Sequence, residues 1–358
     1  MLPDVSRLRL GDRVAGDGAP LFVIAEIGLN HDGSTDRALA LVDAAAAAGA
    51  SAVKVQALIA DELVTANAPA PMHVDAVSLV DFFRQYELTE SDYARVAARA
   101  RERGLAFIAT PFSERAVDML GRIGVDAWKI ASGDITWERL IQKCGATRQP
   151  VIVSTGMSTL QEAQRALHWA TRAGAAGVGL LHCVSAYPVP KGSENLRAIA
   201  TLGMACRAVV GLSDHGADTF SVPLAVAMGA ALYERHLVLA ADDGSIDAPV
   251  SSTPGELAAV VRTAARAAAA LGSGLKTCLP AEQGNRDGSR RGLYARRRLT
   301  AGHVVTADDV IALRPSGGLG ADRQRELVGQ QLGRDLEVGA PFQVIDLHAA
   351  DRGTEHVA

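Results

Sequence analysis

Two histidines, His215 and His236, end two short segments that each follow an apolar run: GLSDH at residues 211–215 and YERH at residues 233–236. The apolar runs at 208–210 and 230–232 predict buried strands. Neutral imidazole binds first-row divalent metals and leaves other coordination positions to water and substrate. If the two strands lie in one barrel, the pair could hold a metal ion at its mouth. Either histidine alone is more simply explained by a hydrogen bond near a strand end.

Polar side chains also stand at or just beyond the ends of the six earlier apolar runs. Each has an ordinary explanation by itself, since a lysine there is usually solvated and a serine usually caps the next helix. A purely structural barrel would tolerate one or two of them, but not one in every unit. We therefore interpret the set as an active site at the carboxyl ends of barrel strands. Its members are Glu26, Asn30, His31, Lys54, Gln56, Thr110, Lys129, Ser132, Ser154, Thr155, Ser185, Tyr187, Ser213, His215, Glu234 and His236.

The residue types of this set indicate its chemistry. Two lysines, a ring of hydroxyl groups and two glycine-containing turns, SG at 132–133 and STG at 154–156, suit a phosphate and a carboxylate. Glu26, Glu234 and Asp247 supply carboxylates for acid–base chemistry and for hydroxyl binding. A metal held by two histidines would polarise a carbonyl group. The set predicts an enzyme that forms a C–C or C–O bond between a small phosphorylated acid and a polyhydroxy aldehyde.

Eight strand–helix units must position these residues. Near-continuous apolar strands separated by helices are typical of a parallel sheet covered on its outer face. Eight units over somewhat more than ~250 residues are the size of a TIM barrel. A doubly wound open sheet is the structural alternative, but no G-x-G-x-x-G follows the first strand. We predict an α/β fold, a (β/α)8 TIM barrel, with strands at 22–26, 52–56, 105–110, 127–130, 151–154, 178–183, 208–210 and 230–232.

A change of pattern near residue 272 predicts a second domain. The last barrel helix, near 254–271, is followed by a stretch rich in glycine, proline and polar residues, which is typical of a linker. Short β-like runs at 290–299, 304–311 and 327–336 then predict one small β-rich module. We assign 1–280 to the barrel, 281–289 to the linker, 290–348 to the module and 349–358 to a frayed tail.

Composition excludes several classes of partner. A net charge of -4 argues against nucleic acid, because phosphate binding needs a basic face. The four cysteines have neither metal-ligand spacing nor the density of a disulfide framework. Residues 1–10 lack the apolar core of a signal peptide, and no run is long enough to span a membrane. These features predict a soluble cytoplasmic protein with no nucleic-acid or membrane partner.

The motifs as a set resemble the sialic acid synthase family over about residues 21–347, and the terminal module resembles its antifreeze-like (SAF) domain. The module's resemblance includes LRP at 313–315. The barrel motifs follow the family's order: IAEIGLNHDG at 24–33, AVKVQ at 52–56, ATPF at 109–112, KIASG at 129–133, STGM at 154–157, HCVSAYP at 182–188, GLSDH at 211–215 and ERH at 234–236.

The resemblance implies condensation of phosphoenolpyruvate with an N-acylated amino-sugar aldehyde such as N-acetylmannosamine. The aldehyde is polarised by a divalent metal, Mn²⁺ or alternatively Mg²⁺, and phosphate is released by C–O cleavage. It places the metal on His215 and His236. It implies that phosphoenolpyruvate is bound by Lys54, Thr110, Lys129, Ser132, Ser154, Ser185 and Ser213. It implies sugar binding by Gln56, Phe112, Tyr187, Asp247 and Arg314, and catalytic roles for Glu26, Lys54, Tyr187, Glu234 and Asp247.

The family also implies a domain-swapped homodimer, in which Arg314 from each SAF domain completes the neighbouring site. This chain departs from the family beyond the second histidine, with Leu237-Val238 in place of Phe-Thr and Ser245-Ile246 in place of Gly-Pro. The insertion 63–80 has no assigned counterpart. These departures leave the acceptor open: N-acetylmannosamine, a legionaminic- or pseudaminic-type precursor, or a less usual aldehyde.

Two other functions remain compatible with the residues. A Schiff-base aldolase on the same barrel would use Lys54 or Lys129 as its covalent residue and would not need a metal on the histidines. A catalytically silent carbohydrate-binding protein is the alternative outside enzymes.

Overall fold

The computed structural model describes residues 7–16, 18–66 and 78–347 of the 358-residue chain. Residues 67–77 of the insertion and the tail predicted over 349–358 lie outside the described residues. The chain divides into two compact units, one ending at Ser273 and the other beginning at Gly274.

The first unit contains a closed parallel barrel. It begins with an antiparallel hairpin, β1 (Arg7–Leu10) and β2 (Arg13–Gly16). The eight barrel strands are β3 (Phe22–Glu26), β4 (Ala52–Ala57), β5 (Ala106–Pro111), β6 (Ala127–Ile130), β7 (Val151–Ser154), β8 (Val178–Cys183), β9 (Val209–Ser213) and β10 (Leu232–Leu237). Each strand pairs with the next, and β10 also pairs with β3, which closes the sheet. The predicted TIM barrel is therefore confirmed. A two-residue strand, β11 (Ser251–Ser252), pairs with β10 outside the ring.

Helices cover the outside of the barrel. They are α1 (Thr35–Ala47), α2 (Ala60–Leu63), α3 (Leu79–Arg84), α4 (Glu90–Glu102), α5 (Glu114–Ile123), α6 (Glu138–Ala146), α7 (Leu160–Ala173), α8 (Arg197–Cys206), α9 (Ser221–Ala227) and α10 (Pro254–Leu271). Short 3₁₀ helices lie at Leu29–His31, Ser132–Asp134 and Ala248–Val250. Helices α4, α7 and α10 begin with capping boxes, in which a threonine and an acidic residue three positions later satisfy the free amides of the first turn. No helix in the described ranges is long and apolar enough to cross a membrane.

The interior of the barrel is apolar at its amino end and polar at its carboxyl end. Alternate residues of each strand face inward. The amino-end layer forms one buried cluster that includes Phe22, Ile24, Ile108, Ile152 and Leu232. Two residues further along the same strands, the inward positions carry ionisable or hydroxyl side chains, which lie at the carboxyl end.

The hairpin β1–β2 fills the amino end of the barrel. Leu8, Leu10 and Ala15 are buried in the same cluster as the inward apolar side chains. Gly179 leaves room for the hairpin, because a Cβ added there would lie 2.9 Å from a side-chain carbon of Leu8, which would have to shift. The hairpin was not predicted from the sequence.

The eighth strand differs from its predicted position. The apolar run at 230–232 predicted it, whereas the structure begins it at Leu232 and continues it to Leu237. Glu234 and His236 thus lie within the strand rather than after it. A buried inward face made of polar residues does not produce the apolar pattern on which the prediction relied.

The second unit has its own core. Its elements are α11 (Gln283–Ser289), β12 (Gly292–Ala295), β13 (Val310–Leu313) and α12 (Gln324–Leu327), with 3₁₀ helices at Pro280–Glu282, Ala307–Asp309, Ala321–Arg323 and Val344–Asp346. Strands β12 and β13 are antiparallel, and isolated bridges such as Leu299 with Leu336 extend the pairing. Ten buried apolar residues, among them Leu293, Val310 and Phe342, form the core.

Two sequence expectations in this unit are changed. The linker predicted over 281–289 is largely helical, since α11 occupies 283–289 and is supported by a hydrogen bond from Gln283 to Asp287 one turn later. The run predicted as a strand at 327–336 forms only isolated bridges, at Gln331, Leu332 and Leu336. Its residues alternate between bridges and turns, because the module is too small for long ladders.

Candidate active site

A cavity of about 380 Å³ opens at the carboxyl end of the barrel. Every barrel strand from β4 to β10 contributes to its wall, either directly or through the loop that follows. The structure brings together most of the residues that the sequence predicted for the site: Lys54, Gln56, Thr110, Phe112, Lys129, Ser132, Ser154, Ser185, Tyr187, Ser213, His215, Glu234 and His236. Glu26 and Asp247 lie directly behind this wall, in contact with Lys54 and His236 respectively.

The floor of the cavity carries two lysines and the Glu234 carboxylate, with the Glu26 carboxylate behind it. Lys54 forms ion pairs with Glu26 and with Glu234, the latter at 3.4 Å. Lys129 lies 3.9 Å from the same Glu234 oxygen. All four side chains are buried, so these charges interact in a medium less polar than water. The four formal charges cancel.

These contacts set the protonation states. Burial alone would lower the pKa of Lys54, but the two carboxylates outweigh it and the pKa lies above its ordinary value. For Lys129, burial dominates and lowers the pKa to about 8. Burial would raise the pKa of Glu234, but the two lysines and the Ser213 hydroxyl, which donates to it at 2.9 Å, hold it below its usual range. The two lysines therefore differ: the pKa of Lys54 lies above its ordinary value, whereas the pKa of Lys129 is lowered to about 8.

Hydroxyl groups converge on a glycine beside Lys129. The Lys129 ammonium donates to Ser154 Oγ at 2.5 Å, and the Gly156 amide donates to Ser132 Oγ at 3.0 Å. A Cβ at Gly156 would lie 2.2 Å from Ser185 Oγ and 2.7 Å from Ser132 Oγ. Glycine is therefore required for this close approach. Amide, ammonium and hydroxyl donors around one point form a suitable cradle for a phosphate.

The two histidines lie side by side. Their ring centroids are 5.4 Å apart and both side chains are almost fully buried. Nδ1 of His215 lies 3.3 Å from the Val184 carbonyl oxygen, to which it donates when it carries the proton. Nδ1 of His236 lies 3.2 Å from Asp247 Oδ2. An oxygen thus lies close to Nδ1 of each ring, in His236 without hydrogen-bond geometry, and Nε2 is left as the nitrogen for a metal.

This donor set fits a divalent metal with open coordination positions. Burial, followed by the neighbouring His236, lowers the pKa of His215 to about 4, so its imidazole is neutral at physiological pH, as a ligand must be. Burial would also lower the pKa of His236, but the charge of Asp247 outweighs it and the pKa is raised. Within 7–16, 18–66 and 78–347, no group of three or more histidine, cysteine or acidic residues is placed to hold a metal alone. The remaining positions would fall to substrate and water.

The wall toward the mouth is more apolar. The Tyr187 ring packs on His215 with a centroid distance of 4.3 Å, and Phe112 and Gln56 also line the cavity. Asp247, which the resemblance assigned to the sugar, contacts His236. Arg314 belongs to the second unit, where its side chain is exposed.

Some residues have surroundings that the sequence did not reveal. Cys183, which the sequence did not place in the site, lines the cavity with its sulfur 3.6 Å from His215 Nδ1. Its inward position at the end of β8 was the available signal. Asn30 instead supports the backbone, donating to the Leu237 carbonyl at 2.9 Å. Leu237 and Val238, where the chain departs from the family, are buried away from the cavity wall.

Comparisons with known proteins identify the family of this chain. The sequence profile of the NeuB family matches residues 41–276, and that of the SAF domain matches residues 290–348. The N,N'-diacetyllegionaminic acid synthase of Legionella pneumophila is 34% identical over 92% of this chain and 95% of its own. A pseudaminic acid synthase of Campylobacter jejuni is 32% identical over 91% of this chain and 96% of its own.

A solved structure shows the same architecture. The N-acetylneuraminic acid synthetase of Leptospira borgpetersenii, crystallised with citrate, is 33% identical and superposes with a TM-score of 0.71. The match covers 78% of this chain and 94% of that one.

Proposed function

This chain belongs to the NeuB family, and we propose that it condenses phosphoenolpyruvate with an N-acylated amino-sugar aldehyde. The product is a nonulosonic acid of the sialic type, and inorganic phosphate is released. The observation that carries the proposal is the meeting of a phosphate cradle at Gly156, a lysine–carboxylate floor and a histidine pair in one cavity. One anion, one carbonyl and one cation can be bound there together.

The charge balance of the floor supports a metal. Lys54 and Lys129 are already neutralised by Glu26 and Glu234, so they alone do not offset the charge of phosphoenolpyruvate. A divalent cation on Nε2 of His215 and His236 would supply the missing positive charge. We propose Mn²⁺, with Mg²⁺ as the alternative; bound there, it would polarise the aldehyde as a Lewis acid.

The residues of the chain divide the substrate between them. Lys129, Ser132, Ser154 and Ser185 would hold the phosphate of phosphoenolpyruvate, while Lys54, Thr110 and Ser213 would hold its carboxylate. Five of these seven donors are buried, which would keep both anions largely dehydrated and fixed and would favour the geometry of attack. Gln56, Phe112, Tyr187 and Asp247 would line the sugar chain.

The reaction balances with these groups. The methylene carbon (C3) of phosphoenolpyruvate forms the new C–C bond to the aldehyde carbon, and the aldehyde oxygen takes up a proton. Water adds to C2, the carbon that carries the phosphate, while Glu26 or Glu234 accepts its proton. The C–O bond to phosphate then breaks, and the phosphate leaves with the bridging oxygen.

We further propose a cytoplasmic homodimer in which the SAF domain of one copy covers the barrel mouth of the other. The support in this chain is an open mouth: Met157 and Tyr187 are 76% and 58% exposed. In such a dimer, the partner's Arg314 would contact the acceptor sugar.

A screen of aldehyde acceptors tests the reaction. The purified protein is incubated with phosphoenolpyruvate, Mn²⁺ and a panel of N-acylated amino-sugars, and products are measured by mass spectrometry alongside phosphate. One acceptor should give a three-carbon extension with equimolar phosphate, and ¹⁸O in the bridging position should appear in that phosphate. No product and no phosphate across the panel would instead favour a carbohydrate-binding protein.

A Schiff-base aldolase is the second candidate, because burial lowers the pKa of Lys129 to about 8. Borohydride distinguishes the two. A trapped covalent adduct with full activity in chelator would replace the proposed mechanism, whereas no adduct and complete loss of activity in chelator would support it.

A further inference from the structure

A buried polar cluster lies behind the histidine pair, outside the cavity. Its members are Asp214, Ser221, Tyr233, Arg235 and Ser252, which come from β10, β11, α9 and the loop after β9. All five side chains are buried, and none lines the cavity. A fully buried arginine is costly unless it has a specific partner, so the cluster calls for a role.

Strand alternation connects this cluster to the site. Along β10, Glu234 and His236 face the cavity, whereas Tyr233 is packed in the outer core between strands and helices. Arg235 lies on the same outer face, since side chains alternate along a strand. Tyr233 and Arg235, on the strand that carries His236, thus point toward the loop that carries His215.

The cluster holds both peptide groups that follow His215. Asp214 Oδ1 accepts from the Gly216 amide at 2.9 Å. The Arg235 guanidinium donates to the Gly216 carbonyl at 3.0 Å and lies 3.5 Å from Asp214 Oδ2. The loop is thereby attached through its own acidic residue and through the next strand.

Further hydrogen bonds hold the side chains of Asp214 and Arg235 in place. Asp214 Oδ2 accepts from the Tyr233 hydroxyl at 2.7 Å and from the Ser221 hydroxyl. Arg235 Nε donates to Ser252 Oγ at 2.8 Å. The His215 ring is held separately, because its Nδ1 faces the Val184 carbonyl. A shift of the loop would therefore move the ring away from that carbonyl and from His236.

We infer that Asp214 and Arg235 are positioning residues, which fix His215 relative to His236 so that both imidazoles can bind one metal ion. The role rests on the proposed metal site and adds to it two residues that touch neither metal nor substrate. Groups that orient metal ligands without binding the metal commonly change its affinity by about 10- to 100-fold when replaced.

The test measures Mn²⁺ binding to the full-length protein in the absence of substrates. Binding is monitored through the electron paramagnetic resonance signal of free Mn²⁺. Asp214→Asn and Arg235→Met should each raise the dissociation constant at least ~10-fold. Arg235→Lys keeps the charge but not the forked geometry, and should restore part of the affinity. Tyr233→Phe removes one hydroxyl at constant volume and should give a smaller increase, even if the other variants fold poorly.

A matched control separates positioning from stability. Thr147→Val removes the acceptor of the Trp128 indole N–H, a partly buried hydrogen bond of 2.7 Å at the end of α6. It should lower the melting temperature without changing Mn²⁺ affinity. Folded Asp214→Asn and Arg235→Met variants that bind Mn²⁺ as wild type does would overturn the positioning role alone. A wild-type protein that binds no Mn²⁺ would overturn the proposed metal site and this role with it.

Discussion

The two halves of the barrel interior are built on the same strands but serve opposite purposes. At the amino end, inward side chains such as Ile24, Ile108 and Ile152 pack against the β1–β2 hairpin. Two residues further along, the same strands present Glu26, Lys54 and other polar side chains. Stability is concentrated in the first half, and chemistry in the second, about 7 Å away along each strand.

This separation teaches how a buried charge cluster is tolerated. Four ionised side chains are costly to bury, and their mutual pairing offsets this cost only in part. The apolar half and the hairpin supply the compensating burial. Substitutions should therefore affect function in one half and folding in the other, and the following experiments test that division.

Glu234→Gln should have the largest effect on activity. It removes the carboxylate that both lysines share, leaving Lys129 buried without a carboxylate within 4 Å in the described residues. We expect kcat to fall about 1,000-fold, which corresponds to about 4 kcal/mol. Phosphate release measures it, and circular dichroism confirms folding. A loss of less than tenfold would show that the floor is structural.

Leu10→Ala should act on the other half. Leu10 is fully buried against the inward apolar side chains, so truncation leaves a cavity. We expect the free energy of unfolding to fall by about 3 kcal/mol while kcat and both KM values of the folded enzyme stay within twofold. Val14→Ala, on the same hairpin but 40% exposed, is the control and should change neither. Altered kinetics in Leu10→Ala would break the division.

Gly156→Ala should test the division between folding and function within the polar half of the barrel. The added Cβ would collide with the Ser132 and Ser185 hydroxyls, which must then move apart. We expect kcat/KM for phosphoenolpyruvate to fall about 100-fold, or about 2.7 kcal/mol, with little change in melting temperature. Gly121→Ala, on α5 and away from the cavity, is the control, because its Cβ would meet nothing within 4 Å and its kinetics should remain normal. Equal losses in both variants would refute the steric explanation.

The smallest effect concerns pH. Burial lowers the pKa of Lys129 to about 8, so above that pH the free enzyme loses a cation from its phosphate cradle. We expect kcat/KM for phosphoenolpyruvate to fall roughly tenfold per pH unit above 8, a dependence that Lys129→Gln should abolish. Stability has the opposite sign: the unfolded chain binds this proton more tightly, so the unfolding free energy should rise between pH 8 and about 10.5. Denaturant titrations at pH 8 and 10 check this.

Sequence reasoning succeeded where polarity broke an apolar pattern. Lys54 and Lys129 are conspicuous inside apolar runs, so the cavity they share was predictable together with the barrel. The positions of Glu234 and His236 within β10 were not, because a polar inward face conceals a strand. The hairpin was missed because four-residue strands such as RLRL carry little pattern. The cluster around Arg235 depends on contacts between distant segments, which no local pattern reports.

The hairpin at the amino end has a consequence for the order of events. Since its side chains occupy that end of the barrel in the described residues, we expect both substrates to enter, and both products to leave, at the carboxyl end. Because both substrates use the same entrance, the substrate that binds deepest must bind first, and the product that lies deepest must leave last. Substrate binding and product release are therefore ordered. Inhibitors that resemble the second substrate should bind well only after the first substrate is bound.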